Sequence, residues 1–188
     1  MIRNNLFVFA LLLLPLFNVN ADVLCPATAI DIPASTPTSR FNVEQDGLVV
    51  TDKKTGLIWA RCPWDYKWSV GDQTCLSNGV DNTVTFKEAL KIVNNELTVA
   101  ESERYLAETG WRMPNIKELA SIVERKCYGP AINNEVFPGT ALDSFWSNSH
   151  LVGSSSIYIV NFNSGEVTTS NDSSKSYRLR LVKDASTN

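Results

Sequence analysis

The stretch Gly110-Trp111-Arg112-Met113-Pro114-Asn115-Ile116-Lys117-Glu118-Leu119 decides how this chain folds. Asn115 is a favourable N-cap residue, because its side-chain oxygen can accept a hydrogen bond from a backbone N–H two or three residues later. Glu118 can bond back to the N–H of Asn115, which completes a capping box. Since Pro114 holds the preceding residue in an extended conformation, the helix cannot begin earlier. Helical spacing of apolar residues then predicts a helix from Ile116 to about Lys126.

The large side chains around this corner are predicted to be structural. Trp111 is the apolar anchor before the turn, and Trp59 and Trp146 on predicted strands are expected in the core. Arg112 has two interpretations, an anion clamp or a structural arginine bonded to loop carbonyls or a carboxylate, and we favour the second. Glu118 is assigned to capping rather than to acid–base chemistry, since no second carboxylate is spaced to pair with it.

The N-terminus has the pattern of a secretory signal peptide over residues 1–21. Arg3 precedes an apolar run from Leu6 to Phe17, and Val19-Asn20-Ala21 resembles a cleavage site. The alternative, an uncleaved membrane anchor, is disfavoured because the run is too short to span a bilayer comfortably. We therefore expect a periplasmic or extracellular protein with no membrane insertion after cleavage. The formal net charge of −3 argues against nucleic acid as a partner.

The four cysteines lie in the part expected to be exported, which favours two disulfides. Three connectivities are possible. We prefer Cys62–Cys75, which closes a short loop, with Cys25–Cys127 joining the N-terminal arm to the end of the second helix. A metal site is the competing interpretation, but the chain has no C-x-x-C motif and one histidine. No metal or cofactor is expected.

The remaining pattern predicts one domain over residues 41–184, between an extended arm at 22–40 and a tail at 185–188. Thr85-Phe86-Lys87-Glu88 is a second capping box and opens the first helix, with Phe86, Ala89, Leu90, Val93 and Leu97 on its apolar face. The segment from Thr98 to Thr109 is expected to form a separate helical turn or an insertion before Gly110. Short strands are predicted on both sides of the helical region, at 41–43, 48–51, 57–60, 145–149, 156–162, 166–170 and 177–183. Asn163-Ser164-Gly165 should form a tight turn between two of them.

Residues Pro63 to Val84 are predicted to be a long irregular loop closed by the Cys62–Cys75 disulfide. This loop carries Trp64, Tyr66 and Trp68 among polar residues. Exposed aromatic rings on such a loop can form a sugar-stacking or protein-binding surface. The alternative, which we favour, is a loop that folds back and covers a small core of its own.

Several motifs recur together in one bacterial family. They are Asp46-Gly47, Val50-Thr51-Asp52, the run Thr55 to Cys62, the run Trp111 to Leu119, Pro130-Ala131-Ile132-Asn133, Phe145-Trp146-Ser147, Val160-Asn161-Phe162 and Arg180-Leu181-Val182. In this order they resemble the family named for the C-terminal domain of the Legionella collagen-like adhesin. The resemblance covers about residues 41–183.

This resemblance implies an α+β, C-type-lectin-like fold, in which two helices flank a twisted, mainly antiparallel sheet and the N- and C-terminal strands pair. It also implies an exported adhesion role, which for the named adhesin is attachment to sulfated glycosaminoglycans. The present chain differs in having no Gly-X-Y segment and a negative net charge. Binding of a polyanion would need a basic patch, for which Lys175, Arg178 and Arg180 are the clustered candidates.

Other members of the same fold suggest further candidates and further exclusions. Asn148 and His150 follow Trp146 and are candidates for a binding pocket, although a single histidine is more often a solvated loop residue. Calcium-dependent lectins need acidic residues that are absent beside Pro114 and after Trp146, so no calcium site is expected. Sulfatase-modifying enzymes need a late cysteine pair, whereas no cysteine follows Cys127.

Taken together, the sequence predicts a secreted or periplasmic, non-enzymatic module that recognises a glycan or a protein at the cell envelope. No catalytic residue is assigned. The alternatives are a structural subunit of an envelope or fimbrial assembly and, with less support, an enzyme related to the sulfatase-modifying factors.

Overall fold

The computed structural model describes residues 32–77, 79, 82–94 and 110–185. The signal-peptide prediction, Cys25, Leu97 and the segment from Thr98 to Thr109 lie outside these residues. The described part is mostly β, with two short α-helices and eleven strands in several antiparallel sheets. The strands are β1 (Phe41–Val43), β2 (Val49–Asp52), β3 (Leu57–Ala60), β4 (Tyr66–Ser69), β5 (Thr74–Ser77), β6 (Val84–Thr85), β7 (Ser144–His150), β8 (Ile157–Asn161), β9 (Glu166–Ser170), β10 (Ser176–Tyr177) and β11 (Val182–Asp184).

The first sheet has the order β1-β2-β3-β11, so both ends of the domain lie in it. The predicted direct pairing of the terminal strands is wrong, because β11 pairs with β3 while β1 forms the opposite edge. One face of this sheet buries Val50, Trp59 and Val182 in a core cluster with the phenylalanines of the C-terminal half. On the other face, Ala60 and Leu181 belong to a second cluster with Trp111 and Trp146.

Both helices begin at the predicted residues. Helix α1 spans Phe86–Val93 and α2 spans Ile116–Ser121, and complete capping boxes at Thr85/Glu88 and Asn115/Glu118 are confirmed. The predicted extension of α2 to Lys126 is wrong. The chain leaves helix α2 because Val123 forms a bridge with Ile132, and because the carboxylate of Glu124 accepts hydrogen bonds from Ser35 and Thr36.

The second sheet, β7-β8-β9, carries the strands expected from the sequence, and a turn at 162–165 joins β8 to β9. The predicted single strand at 177–183 is divided into β10 and β11, because the chain changes partners. Tyr177 pairs with Val84, Arg178 forms a bridge with Phe145, and Val182 pairs with Trp59. Side chains of this segment still alternate between the two cores, since Leu179 and Leu181 lie in one cluster and Val182 in the other.

The predicted description of residues 22–40 as an unpacked arm is wrong for its described part, residues 32–40. Thr36 is 1 % exposed, and its N–H and hydroxyl both donate to the carboxylate of Glu124 at 2.8 Å. Residues Thr38–Arg40 form a 3-10 turn, and Arg40 makes a two-pronged ion pair with the buried Asp52. The arm is therefore an integral part of the domain.

Candidate functional site

The segment from Pro63 to Val84, predicted to be an irregular loop, contains the hairpin β4–β5. Trp68 pairs with Cys75, and the predicted Cys62–Cys75 disulfide is confirmed, which ties the hairpin to the chain just after β3. Cys127 is also disulfide-bonded, whereas Cys25, its predicted partner, is outside the described residues. The hairpin is thus held in place covalently as well as by its own ladder of hydrogen bonds.

The three aromatic residues of this hairpin region have different surroundings. Tyr66 is buried with the disulfide at 8 % exposure. Trp64 packs against the second core cluster, and its backbone N–H donates to the carbonyl of Leu179 at 2.7 Å. Trp68 is partly exposed and lines an open cavity. Of the three, Trp68 is therefore the residue best placed to meet a ligand.

Among the other predicted binding residues, Asn148 and His150 lie apart from Arg178, whose guanidinium carbon is 5.8 Å from the ring centroid of Tyr66 on the hairpin. Asn148 and His150 are exposed at the far end of β7, where the ring of His150 contacts Phe86 edge-on at 5.4 Å between centroids. Arg178 bridges to the opposite part of this strand, at Phe145. Phe145 and His150 stand opposite Val160 and Ile157 of β8, so at about 3.3 Å per residue they are about 10 Å apart along the sheet.

The structure contradicts the predicted basic patch of Lys175, Arg178 and Arg180. Arg180 is completely buried, and its guanidinium donates to the carbonyls of Ala60 and Arg61 and to the Thr140 hydroxyl. Its charge is therefore used to hold the chain together. Arg178 is mostly buried too, with a nitrogen 3.4 Å from the carboxylate of Asp143. Lys175 alone of the three is exposed.

The residues expected to be structural are packed or bonded within the fold. Trp59 and Trp146 are fully buried and Trp111 is 8 % exposed, with the ammonium of Lys183 above its ring. Arg112 makes two hydrogen bonds of 2.8 and 2.9 Å to the carboxylate of Glu118, and a third, of 2.9 Å, to Asp184. These bonds raise the pKa of Arg112, with the Glu118 carboxylate as the main cause. The corner at Pro114 and Asn115 is thereby locked to the C-terminal strand.

A cavity of about 410 Å³ lies between the hairpin and the β1–β2 turn. We call it the Trp68 cleft, and its lining residues are Val43, Glu44, Gln45, Asp46, Gly47, Arg61, Trp68, Val70 and Gln73. Two other cavities, of about 400 and 690 Å³, lie against the arm and against the exposed face of the first sheet. The Trp68 cleft differs from both because an aromatic side chain forms part of its wall.

The indole of Trp68 contacts two residues of the chain, Arg61 and Gly47. The guanidinium carbon of Arg61 lies 4.2 Å from the ring centroid, so one face of the indole is covered by a cation. Gly47 presses against the ring, since a Cβ at this residue would lie 2.7 Å from the indole nitrogen. The position of Trp68 therefore depends on the absence of a side chain at Gly47 and on Arg61 beneath the ring.

Arg61 is 8 % exposed and is bonded to main-chain carbonyls. It donates to Val136 at 2.8 Å, to Glu135 at 3.1 Å and to Gly47 at 3.4 Å. Burial lowers the pKa of Arg61 from its ordinary value. At the rim of the cleft the charged groups are instead the exposed carboxylates of Glu44 and Asp46. A ligand in the cleft therefore meets acidic and amide side chains beside an aromatic wall.

Sequence reasoning identified Trp68 but not the residues that surround it. The residues that were missed are Glu44, Gln45, Gly47, Arg61 and Gln73. Part of the signal was present, because Asp46-Gly47 and Arg61-Cys62 belong to the motifs quoted above. Their spatial meeting with Trp68 depends on the pairing of β2 with β3 and on the disulfide, which no local pattern reports.

Comparison with known proteins gives one match. The model of the family described as the Lcl C-terminal domain matches residues 48–183. The chain belongs to the Lcl C-terminal domain family. The searches of curated proteins and of solved structures found no match.

The matched region of this Lcl C-terminal domain protein includes four of the nine residues that line the Trp68 cleft, those from Arg61 to Gln73, whereas the five from Val43 to Gly47 precede it. Within the described ranges, no three His, Cys, Asp or Glu side chains are grouped as a metal site would require. Neither described helix has the length and apolar character needed to cross a membrane.

Proposed function

We propose that this chain is an exported, non-enzymatic binding module of C-type-lectin-like fold that recognises a glycan of the cell envelope through the Trp68 cleft. The observation that carries the proposal is a partly exposed tryptophan, packed against Arg61 and Gly47 in a cavity whose rim is made of carboxylate and amide side chains. Sugar rings have apolar C–H faces and polar edges. A flat aromatic wall beside hydrogen-bonding groups is complementary to both.

The fold class is supported by the arrangement of the domain. The first and last strands lie in one sheet, two short capped helices flank the β structure, and irregular segments connect the two sheets. The presence of disulfides supports an oxidising, extracytoplasmic compartment. Membership of a family named for an adhesin domain is consistent with a role in surface binding.

The electrostatics of the cleft favour an uncharged glycan over a sulfated one. Glu44 and Asp46 place negative charge at the rim, where an anionic ligand would be repelled. The nearest cation, Arg61, is covered by Trp68 and bonded to three carbonyl oxygens. The preferred ligand of this chain is therefore expected to differ from the sulfated polymer bound by the adhesin that names the family.

A glycan array probed with the folded protein, followed by calorimetric titration of the glycans that bind, tests this proposal. We expect neutral oligosaccharides to bind more strongly than heparin fragments. Trp68→Ala should weaken binding about tenfold or more, equivalent to about 1.4 kcal/mol, because the stacking surface is lost. Gln45→Ala, at an exposed rim residue, should weaken it several-fold without affecting the fold.

Leu76→Ala is the matched control, because Leu76 lies on the same hairpin, is 46 % exposed and does not line the cleft. Its binding should equal that of the unmodified protein. Glycan binding that is unchanged in both Trp68→Ala and Gln45→Ala would show that the binding site lies outside the cleft. Absence of binding to the array and to envelope extracts, with correctly folded protein, would refute the function.

A further inference from the structure

Strand β9 has an uncovered edge. It pairs with β8 over five consecutive residues, from Glu166 opposite Asn161 to Ser170 opposite Ile157, and is the last strand of its sheet. Four of its five residues are exposed, and Val167 retains 44 % of its surface. The outward N–H and C=O groups of an edge strand are available for pairing with another strand.

Two other strand edges in the described part of the chain, those of β7 and β11, are partly covered by backbone hydrogen bonds. On β7, the N–H of Trp146 donates to the carbonyl of Arg178 at 2.9 Å, and the N–H of Arg178 donates back to Ser144 at 2.9 Å. On β11, Arg112 and Val182 exchange two hydrogen bonds of 2.9 and 3.0 Å. The edge of β9 differs because no backbone hydrogen bond from the described residues reaches its outer side, and four of its five residues are exposed.

The sequence of β9 also lacks the features that normally protect an edge. Proline, lysine and bulges discourage strand addition, but Glu166-Val167-Thr168-Thr169-Ser170 contains neither residue, and its register with β8 is continuous. Three of the five residues are β-branched and favour an extended conformation. This edge is therefore ready to receive a strand.

We propose that β9 pairs antiparallel with β9 of a second copy of this chain, around a two-fold axis at Thr168, and so joins the two three-stranded sheets into one of six strands. The charge pattern of the strand permits pairing with a second copy and favours the antiparallel over the parallel arrangement. Glu166 is its single charged residue, and antiparallel self-pairing places it opposite Ser170. The two Glu166 side chains are then about 13 Å apart along the strand direction, whereas parallel pairing would bring them side by side.

The interface is small, since each copy contributes a strand of five residues. Interfaces below about 1,200 Å² are typical of weak and transient complexes. Dimerisation is therefore expected to depend on protein concentration. The Trp68 cleft lies in a different part of the molecule, so a dimer presents two clefts and gains avidity for a polymeric ligand.

Sedimentation velocity over a wide range of protein concentration tests this proposal. We expect a monomer–dimer equilibrium that Thr168→Lys abolishes, because the two lysines would face each other across the axis. Val152→Lys is the charge-matched control, since Val152 is 98 % exposed in the turn before β8, and it should dimerise like the unmodified protein. Far-UV circular dichroism verifies that both variants are folded.

A charge-rescue experiment separates loss of the interface from damage to the strand. Thr168→Glu alone should also be monomeric, while an equimolar mixture of Thr168→Lys and Thr168→Glu should recover a heterodimer. A chain that remains monomeric at every concentration would overturn the proposal. So would a dimer that persists in Thr168→Lys, because its interface would then lie elsewhere.

Discussion

Gly47 and Gly56 allow backbone strain to be separated from contact with Trp68. Both have a positive φ, of 74° and 73°, but a Cβ at Gly47 would strike the indole whereas one at Gly56 meets nothing within 4 Å. Each change to alanine should lower the free energy of unfolding by about 1–2 kcal/mol through left-handed backbone strain. Gly47→Ala should cost more than this and should also weaken glycan binding.

Urea unfolding and glycan titration of the two variants measure these effects. Trp68 is one of five tryptophans, so its emission is obtained as the difference between each variant and the same variant carrying Trp68→Phe; displacement of the indole changes this difference spectrum. Equal glycan affinity for Gly47→Ala and Gly56→Ala would show that the contact between Gly47 and Trp68 does not position the ring.

Arg180 and Arg178 are two residues apart but differ in what they stabilise. Replacing Arg180 with methionine keeps much of the volume but leaves the carbonyls of Ala60 and Arg61 without their guanidinium donor inside the core. We expect Arg180→Met to lower the free energy of unfolding by at least about 2–4 kcal/mol, since each buried unsatisfied acceptor costs about 1–3 kcal/mol.

Arg178→Met is the matched variant for this comparison. Its ion-pair partner Asp143 is 42 % exposed, so the loss should be about 1 kcal/mol or less. Chemical denaturation of both variants gives the two values. A similar cost at the two positions would contradict the assignment of Arg180 as a structural centre of the core.

At the level of elements, the hairpin β4–β5 depends on the disulfide that anchors it. The Cys62–Cys75 bond joins two residues that are thirteen positions apart in the sequence. Replacing both cysteines with alanine should lower the free energy of unfolding by about 3 kcal/mol, mainly because the unfolded chain becomes less restricted. Glycan affinity should fall as well, because Trp68 pairs with Cys75 and follows any movement of the hairpin.

The double variant is preferable to a reducing agent, which would also act on the disulfide of Cys127. Unfolding curves and glycan titration report the two effects separately. Retention of full affinity in a destabilised variant would show that Arg61 and Gly47 hold Trp68 without help from the disulfide.

Elements determined by local sequence were predictable, and those determined by distant partners were not. The starts of α1 and α2 follow from capping boxes four residues long. The hairpin β4–β5 was missed because its strands are short and partly polar. Each strand forms only when it is paired with the other, so neither has a clear pattern of its own. The end of α2 was misplaced because Val123 and Glu124 bond to residues eight or more positions away.

The same distinction applies to the site as a whole. Trp68 attracted attention as an aromatic residue in a polar segment, and this signal is local. Arg180 was a candidate for a basic patch because it is close in sequence to Lys175 and Arg178, but it is buried because Thr140 and the carbonyls of Ala60 and Arg61 surround it. Single-sequence patterns therefore locate unusual side chains better than they show what those side chains meet.

The whole molecule should lose stability in acid, because two buried carboxylates join its arm to its core. Burial would raise the pKa of Asp52 and of Glu124, but hydrogen bonds outweigh it and lower both. For Asp52 the donors are Arg40, Thr55 and Lys54, and for Glu124 they include Lys126, Thr36 and Ser35.

Because the pKa of each carboxyl is lower in the folded than in the unfolded state, its ionised form stabilises the fold. This stabilisation is complete above the pKa of the unfolded chain, about 4, and is lost as the pH falls through the pKa of the folded state. Glu124→Gln should therefore be less stable than the unmodified protein at neutral pH, and the difference should shrink as the pH falls from about 5 to about 3. Urea unfolding at a series of pH values measures this difference. Glu166→Gln, at an exposed carboxylate, serves as the control and should lie close to the unmodified protein at neutral pH. A difference for Glu124→Gln that stays constant across the range would mean that the arm is held by the shape of the Glu124 side chain and not by its charge.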